Sequence, residues 1–212
     1  MSELNHKYSE KEEKLNVITH AFGLLMGILA LPFLIHKSIS FDGFWKPASI
    51  LIYGVSIIVL YSASTAYHSA KTPKRRRILN IFDHAAIYVL IAGTYTPFTL
   101  ITLEGKTGWI IFGLTWFFAL TGIILKLFFT GKFDKLSTIM YVLMGWQIVF
   151  AINPLLESLP IEGLFWLFSG GVFYTVGAIL YSIKKIPFNH AIFHVFVLLG
   201  SISHFVAIYF YC

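Results

Sequence analysis

Seven apolar segments of helix length dominate this sequence, and they limit the folds that it can adopt more than any other feature. They lie at about residues 16–36, 47–68, 78–101, 108–128, 136–154, 161–183 and 191–211. A helix that crosses a bilayer needs roughly 20 apolar residues. Only 12% of the 212 residues are charged, against about 25% in a soluble domain. We therefore predict an all-α integral membrane protein, with a polar cytoplasmic tail (residues 1–15) and one bundle of seven transmembrane helices (residues 16–212).

The distribution of basic residues predicts the orientation of this bundle. With seven spans, the N-terminus and the second, fourth and sixth loops lie on one side of the membrane. Of the 16 Lys and Arg residues, only Lys37, Lys46 and Lys106 lie on the other side. Basic residues concentrate in cytoplasmic loops, so we expect the N-terminus in the cytoplasm and the C-terminus outside.

The remaining composition excludes several classes of site and partner. Basic loops account for the net charge of +6, so we predict membrane lipids, and no nucleic acid, as partners. The single cysteine, Cys212, excludes an internal disulfide framework and a cysteine metal cluster. The oligomeric state is left open.

Polar residues from three predicted helices meet at the cytoplasmic end of the bundle. The second helix ends there, and the third and seventh begin there. These ends carry Ser64 and His68, then Asp83 and His84, and finally His190 and His194. Residues that are far apart in sequence are therefore expected at one depth.

His68, His190 and His194 form a candidate zinc site. Four residues turn a helix by about 400°, so His190 and His194 share one face. Three imidazoles leave a fourth position open, as in catalytic zinc sites. The alternative is a set of interfacial histidines without a metal. Ala191 follows His190, so the built-in general base of the His-Glu-x-x-His metalloproteases is absent.

Two further residues are candidates for catalysis. Asp83 is the one acidic residue at the cytoplasmic end of a predicted span, and it could hold or deprotonate a zinc-bound water or orient a ligand histidine. Ser64 lies one turn from His68 and could bind that water or a substrate carbonyl. A role for Ser64 in helix packing is the alternative.

The remaining polar residues of the spans have open roles. His84 adjoins Asp83 and points about 100° away from it, so we expect a packing or interfacial role. His204 is ten residues, about 15 Å, beyond His194, and we expect a hydrogen-bonded interior histidine. Asn16 and His20 either line the cavity or cap and pack the first helix.

These motifs together resemble the hemolysin III family, within the superfamily of the progestin and adipoQ receptors. The resemblance covers nearly the whole chain, and the matching residues are Glu13, Asn16, Thr19 and His20, then residues 64–68, then Asp83, His84, Tyr88 and residues 92–97, and finally residues 190–194, Gly200, Ser201 and His204. It implies a bundle in the plasma membrane of a bacterium, with zinc bound near the cytoplasmic face by His68, His190 and His194. It also implies that Asp83 binds the zinc water and that Ser64 lies beside it.

Three functions are compatible with this resemblance. Alkaline ceramidases are more distant relatives with a similar Ser/His/Asp set, which implies a zinc-dependent hydrolase of a lipid amide or ester. Other members are linked to lipid homeostasis, which implies a sensor or regulator with structural zinc. The hemolysin label implies a cytolytic pore, although the polar residues cluster at one end instead of following a pore lining.

Overall fold

A computed structural model describes residues 8–129 and 134–212. This part of the chain contains helices α1 (Glu10–Ser38), α2 (Trp45–Ser69), α3 (Pro73–Pro97), α4 (Gly105–Phe129), α5 (Asp134–Gly145), α6 (Ile152–Ser158), α7 (Ile161–Ser182) and α8 (Asn189–Tyr211). Residues 1–7 of the predicted tail, and Lys132 in the fourth loop, lie outside the described residues.

Seven stretches of these helices are long and apolar enough to cross a membrane. This confirms the predicted all-α fold with seven spans. A π-helical turn, Phe98–Thr102, continues α3 to the end of its span. Helices α5 and α6 together make the fifth span, Leu136–Ser158.

The fifth span is not one continuous helix, contrary to the sequence prediction. Helix α5 ends at Gly145, and a 3₁₀ turn, Gln147–Ala151, leads into α6. Backbone groups at a break inside a membrane need partners within the protein. The Tyr95 hydroxyl from α3 supplies them, since it donates to the carbonyl of Gly145 and accepts from the N–H of Ile148, both at 2.8 Å.

Helix α1 begins at Glu10, inside the segment predicted to be a tail. The Ser9 hydroxyl caps it by accepting a hydrogen bond from the N–H of Glu12 at 3.2 Å. Glu10, Glu12 and Glu13 occupy its first turn, where negative charge stabilises the helix dipole. The early start places Glu12 and Glu13 on a helix of the bundle.

The helices differ in how deeply they are buried. Consecutive helices α1–α2, α2–α3 and α7–α8 pack together, and α1 also contacts α8. In the apolar part of its span α3 is 67% buried and α1 only 22%. Helix α3 is therefore central, and α1 presents large apolar side chains, such as Ile18 and Phe33, to lipid.

Three hydroxyl groups join α2, α7 and α8 in the interior. The Tyr61 hydroxyl donates to Ser201 Oγ at 2.8 Å, and the Tyr174 hydroxyl lies 2.9 Å from the same oxygen. The phenols of both tyrosines would otherwise be buried without partners, which is costly. The trio ties together helices that are remote in sequence.

Candidate metal centre

Three imidazoles from two helices converge at the end of the bundle where α1 and α8 begin. His190 Nε2 lies 3.1 Å from His68 Nε2 and 3.1 Å from His194 Nε2. All three side chains are buried. One nitrogen of each lies within 4.8 Å of the others. The structure thus brings together the three residues predicted as metal ligands.

Hydrogen bonds at the opposite ring nitrogens fix the tautomers of two of these histidines. His68 Nδ1 donates to Glu13 Oε2 at 2.6 Å. His194 Nδ1 lies 3.3 Å from the carbonyl oxygen of Asn16, which can only accept. Because each Nδ1 carries the hydrogen, the Nε2 atoms of neutral His68 and His194 are lone-pair donors. Both lone pairs therefore face His190 Nε2.

This donor set fits a zinc ion. Zinc binds imidazole nitrogen at about 2.0–2.1 Å in tetrahedral geometry, so two ligand nitrogens would be roughly 3.3 Å apart. Two of the three separations are 3.1 Å, and the third, between His68 and His194, is within 4.8 Å. Facing lone pairs repel unless a cation or a proton lies between them. Imidazole also suits copper, iron and nickel, so the donors alone do not select zinc.

Helix α1 and the residue before its cap surround the three histidines. The Glu13 carboxylate, which binds His68 through one oxygen, accepts from the Arg76 guanidinium through the other. Tyr8 stacks on the His190 ring with 4.6 Å between centroids. Burial raises the pKa of the Tyr8 phenol, with the neighbouring Tyr181 as a second cause, so the phenol stays neutral.

The first turn of α8, which carries His190, also depends on α1. The residue before this helix, Phe188, has a left-handed backbone and makes no side-chain cap. Glu12 Oε1 instead accepts from the backbone N–H of His190 at 3.3 Å. A carboxylate at a helix N-terminus satisfies an open donor and stabilises the helix dipole.

A largely apolar cavity of about 150 Å³ opens beside the histidines. His190 and His194 line one end of it, together with the predicted Ser64 and Asp83. Within the described residues, the Ser64 hydroxyl makes no hydrogen bond. An Asp83 carboxylate oxygen lies 4.0 Å from His84 Nδ1. Both candidate catalytic residues therefore line the same cavity as His190 and His194.

The residues with open roles now have positions. His204 Nε2 donates to the carbonyl of Leu167 at 3.1 Å, which confirms the predicted hydrogen-bonded interior histidine. His84 donates from Nδ1 to the carbonyl of Asn80 at 2.8 Å and also lines the cavity. His20 lines the cavity and stacks on His194 with ring centroids 3.4 Å apart.

The sequence prediction missed the acidic residues nearest the histidines. It took Asp83 as the one carboxylate at the cytoplasmic ends of the spans, because the first apolar segment was placed from residue 16. The signal that would have located Glu12 and Glu13 is Ser9 followed by Glu12, the capping-box pattern of a helix start. It shows that α1 extends through Glu12 and Glu13 towards the histidines.

Comparison with known proteins identifies the family. The family described as "Haemolysin-III related" matches residues 8–205. The Hemolysin-3 homolog of Bacillus subtilis (strain 168) is 48% identical over 205 residues, covering 97% of this chain and 96% of that protein. Hemolysin-3 of Bacillus cereus is 47% identical over 201 residues, covering 95% and 92%.

A more distant relative is human Monocyte to macrophage differentiation factor, 29% identical over 206 residues, with 94% of this chain and 84% of that protein covered. No solved structure matches this chain significantly. The family match and the seven apolar helices show a multi-pass bacterial membrane protein. The chain belongs to the haemolysin-III related family.

Proposed function

We propose that this protein is a zinc-dependent hydrolase of a lipid amide or ester, with its site near the cytoplasmic face of the membrane. The observation that carries the proposal is the convergence of three histidine nitrogens beside a largely apolar cavity, which two of the three residues, His190 and His194, line. A zinc ion held by His68, His190 and His194 would supply a Lewis acid that polarises a carbonyl and acidifies water.

Asp83 and Ser64 have complementary roles in this proposal. The Asp83 carboxylate takes the proton from the attacking water and passes it to the leaving amine or alcohol, as a general base and then acid. The Ser64 hydroxyl, which has no hydrogen-bond partner among the described residues, donates to the substrate carbonyl oxygen. Each residue lines the cavity beside the histidines.

The extent of the cavity supports a lipid as substrate. Its lining reaches from His194 to His204, and these residues are about 15 Å apart along α8. A hydrocarbon chain fits such a space, with its carbonyl end at the histidines. The excess of basic residues on the side of the first helix's N-terminus supports a cytoplasmic position for the site.

Hydrolysis in liposomes tests the proposal. Purified protein is reconstituted with a ceramide or a phospholipid, and released fatty acid is measured by mass spectrometry. We expect Asp83→Asn to lower turnover by about 10²–10⁴-fold, the usual contribution of general acid–base catalysis. Asp42→Asn is the matched control, because Asp42 is exposed outside the helices. Turnover of the wild type no higher than that of His190→Ala would refute the proposal.

A sensor of lipid composition with structural zinc is the second candidate. It is favoured by the way contacts around the histidines join four helices: α2 and α8 supply the rings, and Glu13 links α1 to Arg76 on α3. In a sensor, zinc stabilises this arrangement without chemistry. If the protein is such a sensor, Asp83→Asn should leave the effect of the protein on the cell unchanged. If it is a hydrolase, the same variant should lose that effect.

A further inference from the structure

Helix α1 contributes no imidazole to the three-histidine cluster, yet its residues contact every member of it. Glu13 binds the His68 ring, and Glu12 binds the backbone N–H of His190. The carbonyl of Asn16 lies 3.3 Å from His194 Nδ1. These three residues lie within the first two turns of one helix. They have no role in the hydrolytic steps proposed above.

Glu13 makes the best-defined of these contacts. Its side chain is only 12% exposed, and the His68 side chain is fully buried. The 2.6 Å contact holds the hydrogen on Nδ1 and turns the ring so that Nε2 faces His190. A carboxylate behind a metal-binding histidine fixes its tautomer and raises its basicity.

Arg76 holds the Glu13 carboxylate in that position. Its guanidinium donates to the second carboxylate oxygen and also lies over the Tyr67 ring, 4.7 Å from the centroid. A planar guanidinium that is both paired and stacked has little rotational freedom. The carboxylate is therefore held between α2 and α3 rather than left to rotate in solvent.

We propose that Glu13 is a positioning residue that sets the affinity of the site for its metal through His68. Docking of the mostly lipid-exposed α1 and binding of the metal are consequently coupled, since each favours the same orientation of His68. The inference rests on the metal site of the proposed function and does not depend on hydrolysis.

Zinc affinity of the purified full-length protein tests this inference, measured by competition with a chelator. Glu13→Ala should bind Zn²⁺ about 10–100-fold more weakly than the wild type, as for other partners of metal-binding histidines. Glu13→Gln should restore part of that loss, because its amide oxygen can still accept from His68 Nδ1. Glu10→Ala is the matched control, since Glu10 lies in the same turn and is exposed; it should leave the affinity unchanged.

The affinities distinguish positioning from a general effect on folding. A purely structural role would lower the melting temperature of the metal-free protein and leave zinc affinity unaltered. Affinities of Glu13→Ala and Glu10→Ala within twofold of each other would overturn the inference, as would a Glu13→Gln variant no tighter than Glu13→Ala. A protein that binds zinc with these ratios but hydrolyses no lipid would retain the inference and refute only the hydrolase.

Discussion

Removing one imidazole from the cluster should abolish the stabilisation of the bundle by zinc. His68 is the ligand on α2, whereas His190 and His194 lie together on α8. In His68→Ala, the two remaining rings belong to a single helix and can no longer join α2 to α8. The variant therefore loses both a ligand and the metal-mediated link between two helices.

The size of the effect follows from linkage between binding and folding. A ligand present at 100 times its dissociation constant stabilises the folded state by about 2.7 kcal/mol. For a chain of 150–250 residues, 1 kcal/mol shifts the melting temperature by about 2–4 °C. Zinc should thus raise the melting temperature of the wild type by roughly 5–11 °C, and that of His68→Ala by none at the same concentration.

Thermal unfolding in detergent, with and without a chelator, measures this difference, and elemental analysis gives the metal content. The wild type should hold about one zinc per chain. His36→Ala is the control, because His36 is exposed at the far end of α1; it should behave like the wild type. If His68→Ala retained one zinc and the full temperature rise, the assignment of His68 as a ligand would be wrong.

Two further predictions concern packing and topology. Gly122→Leu should lower the free energy of unfolding by about 1–3 kcal/mol, because a Cβ at position 122 would clash with the Tyr88 ring. Gly113→Leu on the same helix is the control and should be neutral, because a Cβ at position 113 meets open space. Thermal unfolding compares them, and equal stability of the two variants would contradict this packing. Ser40→Cys, with the native cysteine replaced by serine, should react with an impermeant maleimide in intact cells, and Lys74→Cys should not. Both positions are exposed, so the reverse labelling pattern would invert the proposed orientation.

Hydropathy alone predicted the seven spans, because every residue that crosses a bilayer must be apolar or internally paired. It could not predict the break after Gly145. That break depends on the Tyr95 hydroxyl, which reaches from another helix to the backbone groups left open. Such a contact between remote segments leaves no local pattern in the sequence.

The three imidazoles were predictable because the alternation of spans places the ends of α2 and α8 at one depth. The contacts behind them were not, since hydropathy sets the start of α1 from the first apolar residue. Polar residues that extend a helix beyond the apolar region, such as Glu12 and Glu13, are assigned to a tail by this criterion. The capping-box pattern at Ser9 locates the start of α1 better than hydropathy does.

The hydroxyl trio of Tyr61, Tyr174 and Ser201 constrains the order in which substitutions can accumulate in this family. Ser201 Oγ is the shared partner of both phenols. Loss of the Ser201 hydroxyl removes this hydrogen-bond partner from both phenols at once. Loss of one tyrosine hydroxyl, in contrast, leaves Ser201 hydrogen-bonded to the other tyrosine. A descendant sequence should therefore replace both tyrosines by phenylalanine before it can accept alanine at position 201, and lineages that retain one tyrosine should retain the serine.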